Sequence, residues 1–283
     1  MKTFLFALLL ALSGIIYNQF AVDQEITGPA ISRVHWITLP VKAPEVFDRL
    51  YHLFVKELKI PVFFEPETYG TKRYTGIYAG NVILEPCGPF PLEQVNGEEI
   101  HARYNTLIFC PYVNARTSAE KLEKLGFDYT SQPNSSLINI TVKELCTGRL
   151  PVHLSDSCNL RPEPGERIDS LRNALREIEG GPLGFKYIEE VHIGYKTQAY
   201  LNQWEKFLDP LKSEDDLWYL PEKPNLRFLS SEREEILALV CRVESLEKAK
   251  NYLQNANMLG TESAGRIELN LEKTYGLKII LVE

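Results

Sequence analysis

Two histidines and two glutamates stand at points of this sequence where they could do chemistry. His35 sits in the apolar run RVHWITLPV, residues 33–41, and His192 at the matching point of EEVHIGYKT, residues 189–197. Further along each half, an apolar run carries a carboxylate at its end: Glu85 in NVILEP and Glu283 in KIILVE. Two imidazoles and two carboxylates suit a divalent metal ion such as Zn, Ni, Fe, Mn or Co, with zinc–ligand distances of about 2.0–2.2 Å. Such an ion would polarise a carbonyl or enediolate oxygen, and a loosely held carboxylate, Glu85 or Glu283, would serve as the catalytic base on the adjacent carbon. Singly, a histidine in an apolar strand is more often a hydrogen-bonded core residue, and a glutamate at a strand end is more often solvated. The repeat, histidine opening and glutamate closing, makes the four a candidate set.

The elements that must position them recur four times. VHWITLPV reads as a strand and APEVFDRLYHLFVKEL as a helix, with Val46, Phe47, Leu50, Leu53, Phe54 and Leu58 at helical spacing. IPVFFEP, TGIYAG and NVILEPCG follow as short strands broken by Pro and Gly. A second unit begins near Asn105, with strand NTLIFCPYV, a helix TSAEKLEKLGF opened by a capping box from Thr117 to Glu120, and strand LINITVKEL. The third opens at His192 and continues into TQAYLNQWEKFL, whose stripe is Tyr200, Leu201, Trp204, Phe207 and Leu208, then DLWYLP and NLRFLSS. The fourth runs from ILALVCRV through ESLEKAKNYLQNANMLG to RIELNLE and LKIILVE. SAEKLEKLG beside SLEKAKNYL echoes in letters as well as in pattern. These features predict an α+β fold of repeated βαβββ modules forming curved mixed sheets. Two modules fall in residues 30–145 and two in 186–283, with a Pro-rich turn and a linking helix in 146–185.

The N-terminal MKTFLFALLLALSGIIYNQF has the charged start, apolar run and small-residue zone of a secretory signal peptide over residues 1–22, and the protein is expected to be exported, periplasmic or extracellular. A membrane anchor is the alternative, since the span from Thr3 to Val22 is about the length that crosses a bilayer. No second apolar span follows. The net charge of −7 and the absence of any Lys/Arg-rich run argue against a nucleic-acid partner. Of the five cysteines, Cys87, Cys110, Cys146 and Cys158 could pair in three ways, and Cys241 reads as a buried thiol. No GxGxxG, Walker loop or GxSxG is present, which removes support for nucleotide-binding and serine-hydrolase chemistry.

VHWITL with VILEP, and VHIGYK with IILVE, resemble the vicinal oxygen chelate (VOC) superfamily, which includes glyoxalase I, methylmalonyl-CoA epimerase, extradiol dioxygenases and antibiotic-resistance proteins. The resemblance covers most of residues 33–283. It implies paired modules that form cups around one metal, with ligands on the first and last strand of a module: His35 and Glu85, His192 and Glu283. It implies a glyoxalase-like, metal-dependent lyase or isomerase acting on a small oxygenated compound. The alternative is a non-catalytic VOC-fold protein that binds a small apolar or aromatic ligand after losing its metal site. Two separate cups would hold half a ligand set each, so the four residues meet only if the first and third modules pair or if the even modules are structural additions. An extradiol-type site would need a further histidine around Asn105 or Ala238, and neither position has one. Oligomeric state stays open.

Overall fold

The computed structural model describes residues 28–93, 99–134, 137–159 and 163–283. The signal peptide expected at 1–22 lies outside these residues. Among those described, no helix is long and apolar enough to cross a membrane.

The first module is β1 (Ile31–Pro40), α1 (Pro44–Tyr51, continued as a π-helical turn over His52–Glu57), β2 (Val62–Tyr69), β3 (Lys72–Ala79) and β4 (Val82–Gly88). Alternation of apolar residues builds β1: Val34, Ile37 and Leu39 are fully buried in the core, while Arg33, Trp36 and Thr38 are only partly buried. The second module is β5 (Leu107–Pro111), α2 (Ala115–Lys124), β6 (Tyr129–Asn134), β7 (Leu137–Val142) and β8 (Val152–Ser155). Two expectations are corrected here. Asn114, not Thr117, caps α2, its side chain accepting from the Thr117 amide at 2.9 Å, because Asn114 is the last extended residue before the helix. The segment 146–185 is also more than a linker: its residues 152–155 form β8, which supplies the module's last strand by pairing in parallel with β5. A short apolar run between polar neighbours is weak evidence of a strand until its partner is known.

The rest of the 146–185 segment carries α3 (Glu163–Glu177). The third module is β9 (Phe185–Tyr195), α4 (Gln198–Leu208), β10 (Ser213–Glu214), β11 (Leu217–Trp218) and β12 (Asn225–Ser230). The fourth is β13 (Glu235–Val243), α5 (Leu246–Asn255), β14 (Leu259–Ser263), β15 (Arg266–Leu269) and β16 (Ile279–Val282).

The strands make two mixed sheets of eight, in the orders β2-β3-β4-β1-β5-β8-β7-β6 and β10-β11-β12-β9-β13-β16-β15-β14. In each, two modules join through their antiparallel first strands, β1 with β5 and β9 with β13, and each first strand lies parallel to the last strand of its own module. The fold is therefore α+β, with the modules paired in chain order. One continuous apolar core unites the halves. Trp204 of α4 is its hub, 6.3 Å from the ring of Phe109 on β5 and 5.3 Å from Phe228 on β12. The β3–β4 turn docks onto β9 through Asn81, whose amide donates to the Ile188 carbonyl at 2.9 Å and accepts from the Ile188 amide at 3.0 Å. Gly80 is required beside it: φ is +76°, and a Cβ there would lie 2.2 Å from the Lys186 carbonyl oxygen.

Of the cysteines, Cys110 is disulfide-bonded, while Cys87, Cys146 and Cys241 are free. None of the two-bridge pairings of the first four cysteines therefore forms. Cys241 is buried, as its apolar run suggests.

Candidate functional site

His35 is 5% exposed and sits at a β-bulge, where the register of β1 against β5 shifts between Val34 and Trp36. The bulge takes the histidine out of simple alternation and brings it into a cleft of about 920 Å³. The floor is sheet one, with Arg33, Tyr78 and Ile83, and α3 forms the opposite wall through Ile168, Arg172 and Leu175. Arg172 pairs with Asp169 at 2.7 Å and faces the Tyr78 hydroxyl, which donates to the Gly80 carbonyl. Arg33 pairs with Glu222 at the rim. Burial, helped by the charge of Arg33, lowers the His35 pKa to about 4, so the imidazole is neutral at physiological pH. A neutral ring offers one donor and one acceptor to whatever enters.

Glu85 does not share this cleft. Thr38 is its register partner on β1, three residues beyond His35 and therefore about 10 Å along the strand. Trp36 stands between, stacked on Phe64 at 6.1 Å and edge-on to Phe63 at 5.7 Å. Gly76 makes room for this cluster, since a Cβ there would lie 2.6 Å from the Phe64 ring. Glu85 lies beyond the rings, accepting from the Trp36 indole at 3.0 Å, and burial raises its pKa to about 7.

His192 is also 5% exposed, but it belongs to sheet two and to an ion-pair group. Its Nε2 lies 3.0 Å from Glu190 Oε2, and Arg227 of β12 donates to both oxygens of the same carboxylate, at 2.8 and 3.2 Å. Burial alone would raise the Glu190 pKa, yet the hydrogen bonds from His192 and Arg227 outweigh it and hold it at about 2. Directly across from His192 on β13 is Ala238, in an apolar patch with Val240 and Ile280. Glu283 is elsewhere: it is exposed, and its carboxylate accepts from the Leu246 amide at 3.0 Å, at the start of α5. Ile279 pairs with Leu239, which leaves Glu283 four residues, about 13 Å, past that level.

The structure thus does not bring His35, Glu85, His192 and Glu283 together, and each has a separate partner or cavity. Pairing of modules in chain order puts the histidines in different sheets, and within sheet one the register and the Trp36 rings part His35 from Glu85. Among the described residues, no three His, Cys, Asp or Glu side chains gather as a metal ion requires. The donor set does not fit the divalent metal that the sequence suggested. Sequence reasoning also missed Arg33, Tyr78, Arg172 and Glu190. Glu190 was readable, because residues two apart on a strand share a face with His192. Arg172 was not, because α3 reads as a connecting helix until it folds over the sheet.

The two shifted groups in sheet one give opposite dependences on pH. Folding lowers the His35 pKa from 6.5 to about 4, so its contribution is complete above pH 6.5 and lost as pH falls towards 4. Folding raises the Glu85 pKa from 4.5 to about 7, so its carboxyl is best accommodated below pH 4.5 and loses stability as pH rises towards 7. Between these limits the slopes oppose each other. In His35→Gln, stability is expected to fall by about 2 kcal/mol from pH 4.5 to 6.5 relative to wild type, and in Glu85→Gln to rise by about as much. Urea unfolding across that range tests this, and parallel profiles for the two variants would refute it.

The sequence matches no protein-family profile and no curated protein, but solved structures match over nearly the whole chain. Homoprotocatechuate 2,3-dioxygenase from Brevibacterium fuscum, solved with 3,4-dihydroxyphenylacetate, superposes with a TM-score of 0.59 at 9% identity, covering 91% of this chain and 82% of the enzyme. The 2,3-dioxygenase LapB from Pseudomonas sp. KL28 gives 0.57 at 11% identity, covering 90% and 92%. A mutant 4-hydroxymandelate synthase from Streptomyces coelicolor gives 0.57 at 10%, covering 89% and 92%. With paired βαβββ modules in each of two sheets and extradiol dioxygenases as structural neighbours, the chain has the fold of the vicinal oxygen chelate superfamily.

Proposed function

We propose that this protein is a metal-independent, VOC-fold binding protein for a small aromatic or apolar organic anion, held in the His35 cleft. The observation that carries the reading is the contrast between the scattered metal-ligand candidates and the cleft under α3. That cleft has an apolar body, Ile83, Ile168, Leu175 and Phe185, and two guanidinium groups, Arg33 paired with Glu222 and Arg172 paired with the exposed Asp169, beside a neutral imidazole and a phenol. An aromatic carboxylate would lay its ring on the apolar residues and its oxygens towards Arg172, whose planar fork suits a carboxylate. The neighbour solved with 3,4-dihydroxyphenylacetate takes a ligand of this class. The glyoxalase-like lyase or isomerase reading rests on the fold alone, since it needs four ligands that the register keeps apart. Export belongs to the proposal: the signal-peptide-like run at 1–22 and the disulfide at Cys110 support an oxidising compartment.

The test is metal content and ligand binding on the same preparation, purified without chelator or histidine tag. Elemental analysis should find no stoichiometric transition metal, and phenylacetate should bind saturably, about tenfold more weakly in Arg172→Gln, with no effect of chelator. One equivalent of metal, lost in His192→Ala or His35→Ala, would overturn the reading and restore the metal-dependent enzyme.

A further inference from the structure

The pocket on the far side of the Trp36 cluster has the opposite chemistry. It encloses about 420 Å³ and is lined by Trp36, Phe64, Tyr69, Tyr74, Glu67 and Glu85. The rings form two walls: Trp36 stacks on Phe64, and Tyr69 meets Tyr74 edge-on at 5.8 Å. Between them are two carboxylates and no cation. Glu67 accepts from the Tyr69 hydroxyl at 2.6 Å, and Glu85 takes one hydrogen bond, from the Trp36 indole. Among the described residues no cation pairs with Glu85.

Basic side chains lie close by, and each is committed to another ring. Lys72 sits 3.9 Å over Phe90, Arg73 sits 4.4 Å over Phe47 while pairing with Asp48, and Arg167 sits 5.1 Å over Phe63. The pocket therefore keeps aromatic faces and a largely buried carboxyl group whose one hydrogen-bond donor, the Trp36 indole, is uncharged. Ring faces are electron-rich and attract a cation most strongly when it is poorly hydrated, as an alkylated ammonium is. A small, strongly hydrated inorganic cation would gain little from the ring faces that make up most of the lining, and an anion would meet both carboxylates.

We propose that the pocket bounded by Trp36, Phe64, Tyr69, Tyr74, Glu67 and Glu85 binds an organic ammonium group, a quaternary or tertiary amine on a small ligand. The alkyl groups rest on the Trp36 and Tyr74 rings, and Glu85, giving up its proton as the cation enters, supplies the countercharge from the floor. Tyr69, 64% exposed, and Glu67 form the rim and leave the entrance open. This site stands independently of the anion site around His35.

The probes are choline and its uncharged isostere 3,3-dimethylbutan-1-ol, titrated into the full protein and followed by the indole N–H resonances of Trp36, Trp204 and Trp218. Choline should shift Trp36 saturably and leave the buried Trp204 unmoved, and the alcohol should bind about tenfold more weakly or worse. Glu85→Gln should weaken choline about tenfold while sparing the alcohol, and Tyr69→Ala, a change at an exposed ring, should weaken choline a few-fold without altering the fold. Equal affinity for choline and the alcohol, no shift of Trp36 by choline, or choline binding unchanged in both variants would each overturn the proposal. Phenylacetate titration of the wild type reads the His35 cleft separately, so the two readings fail independently.

Discussion

Glu190→Ala is expected to destabilise the protein by about 3 kcal/mol at neutral pH without changing its metal content. The carboxylate holds three hydrogen bonds at once, one with His192 and two from Arg227. Its side chain is 13% exposed and that of His192 only 6%. Removing it leaves the Arg227 guanidinium, 23% exposed, with the Asp215 carbonyl at 3.1 Å and no carboxylate, and takes from the buried imidazole its acidic partner. Leaving such a partner unpaired costs more than the pair contributes over an apolar replacement. The same group governs acid stability. Folding lowers the Glu190 pKa from 4.5 to about 2, so its contribution is complete above pH 4.5 and disappears as pH falls towards 2. The wild type should therefore lose at most about 2 kcal/mol between pH 4.5 and pH 3, solvent screening reducing the figure, and Glu190→Ala should lack that loss. Urea midpoints at pH 7 and pH 3 measure both effects. A variant as stable as wild type at pH 7 would mean that His192 and Arg227 find other partners.

Trp204→Ala is expected to cost about 3–5 kcal/mol, because it removes the largest fully buried side chain and leaves a cavity. The position matters as much as the volume. Trp204 touches Phe109 of sheet one and Phe228 of sheet two, while Phe207, 5.8 Å from it on the same helix, reaches Phe109 and Phe127. The helix of the third module thus carries the aromatic contacts that join the halves. Loss of the indole should lower the unfolding midpoint of both halves in one cooperative transition. Denaturation followed by far-ultraviolet circular dichroism and by hydrogen exchange in each sheet checks this. Independent transitions for β1–β8 and β9–β16 would show that the halves do not depend on this contact.

The contrast between His192 and His35 explains how much of the site was visible in advance. Both histidines open a module on its first strand, and that much follows from apolar alternation, a local property. Glu190 could have been read as the partner of His192, two residues away on the same face. Arg227 could not, because it arrives from β12, 35 positions further along the chain, by parallel pairing. His35 depends on a bulge, and bulges leave no reliable mark in the order of apolar residues.

The sequence by itself determined the modules: four repeats of strand, helix and strands, an α+β class, and the apolar stripes of α1 and α4, since each depends on periodicity within a few turns or strand residues. Tertiary structure alone decided what those modules could hold. Pairing in chain order placed His35 and His192 in separate sheets, register set Glu85 beside Thr38, and Glu283 ended beside α5. The fold of α3 over sheet one turned a connecting segment into a wall of the His35 cleft. Metal coordination requires side chains to converge within about 2 Å of one point. Repeat symmetry in a sequence specifies equivalent positions, whereas convergence depends on strand register and on which modules pair, both of which are long-range.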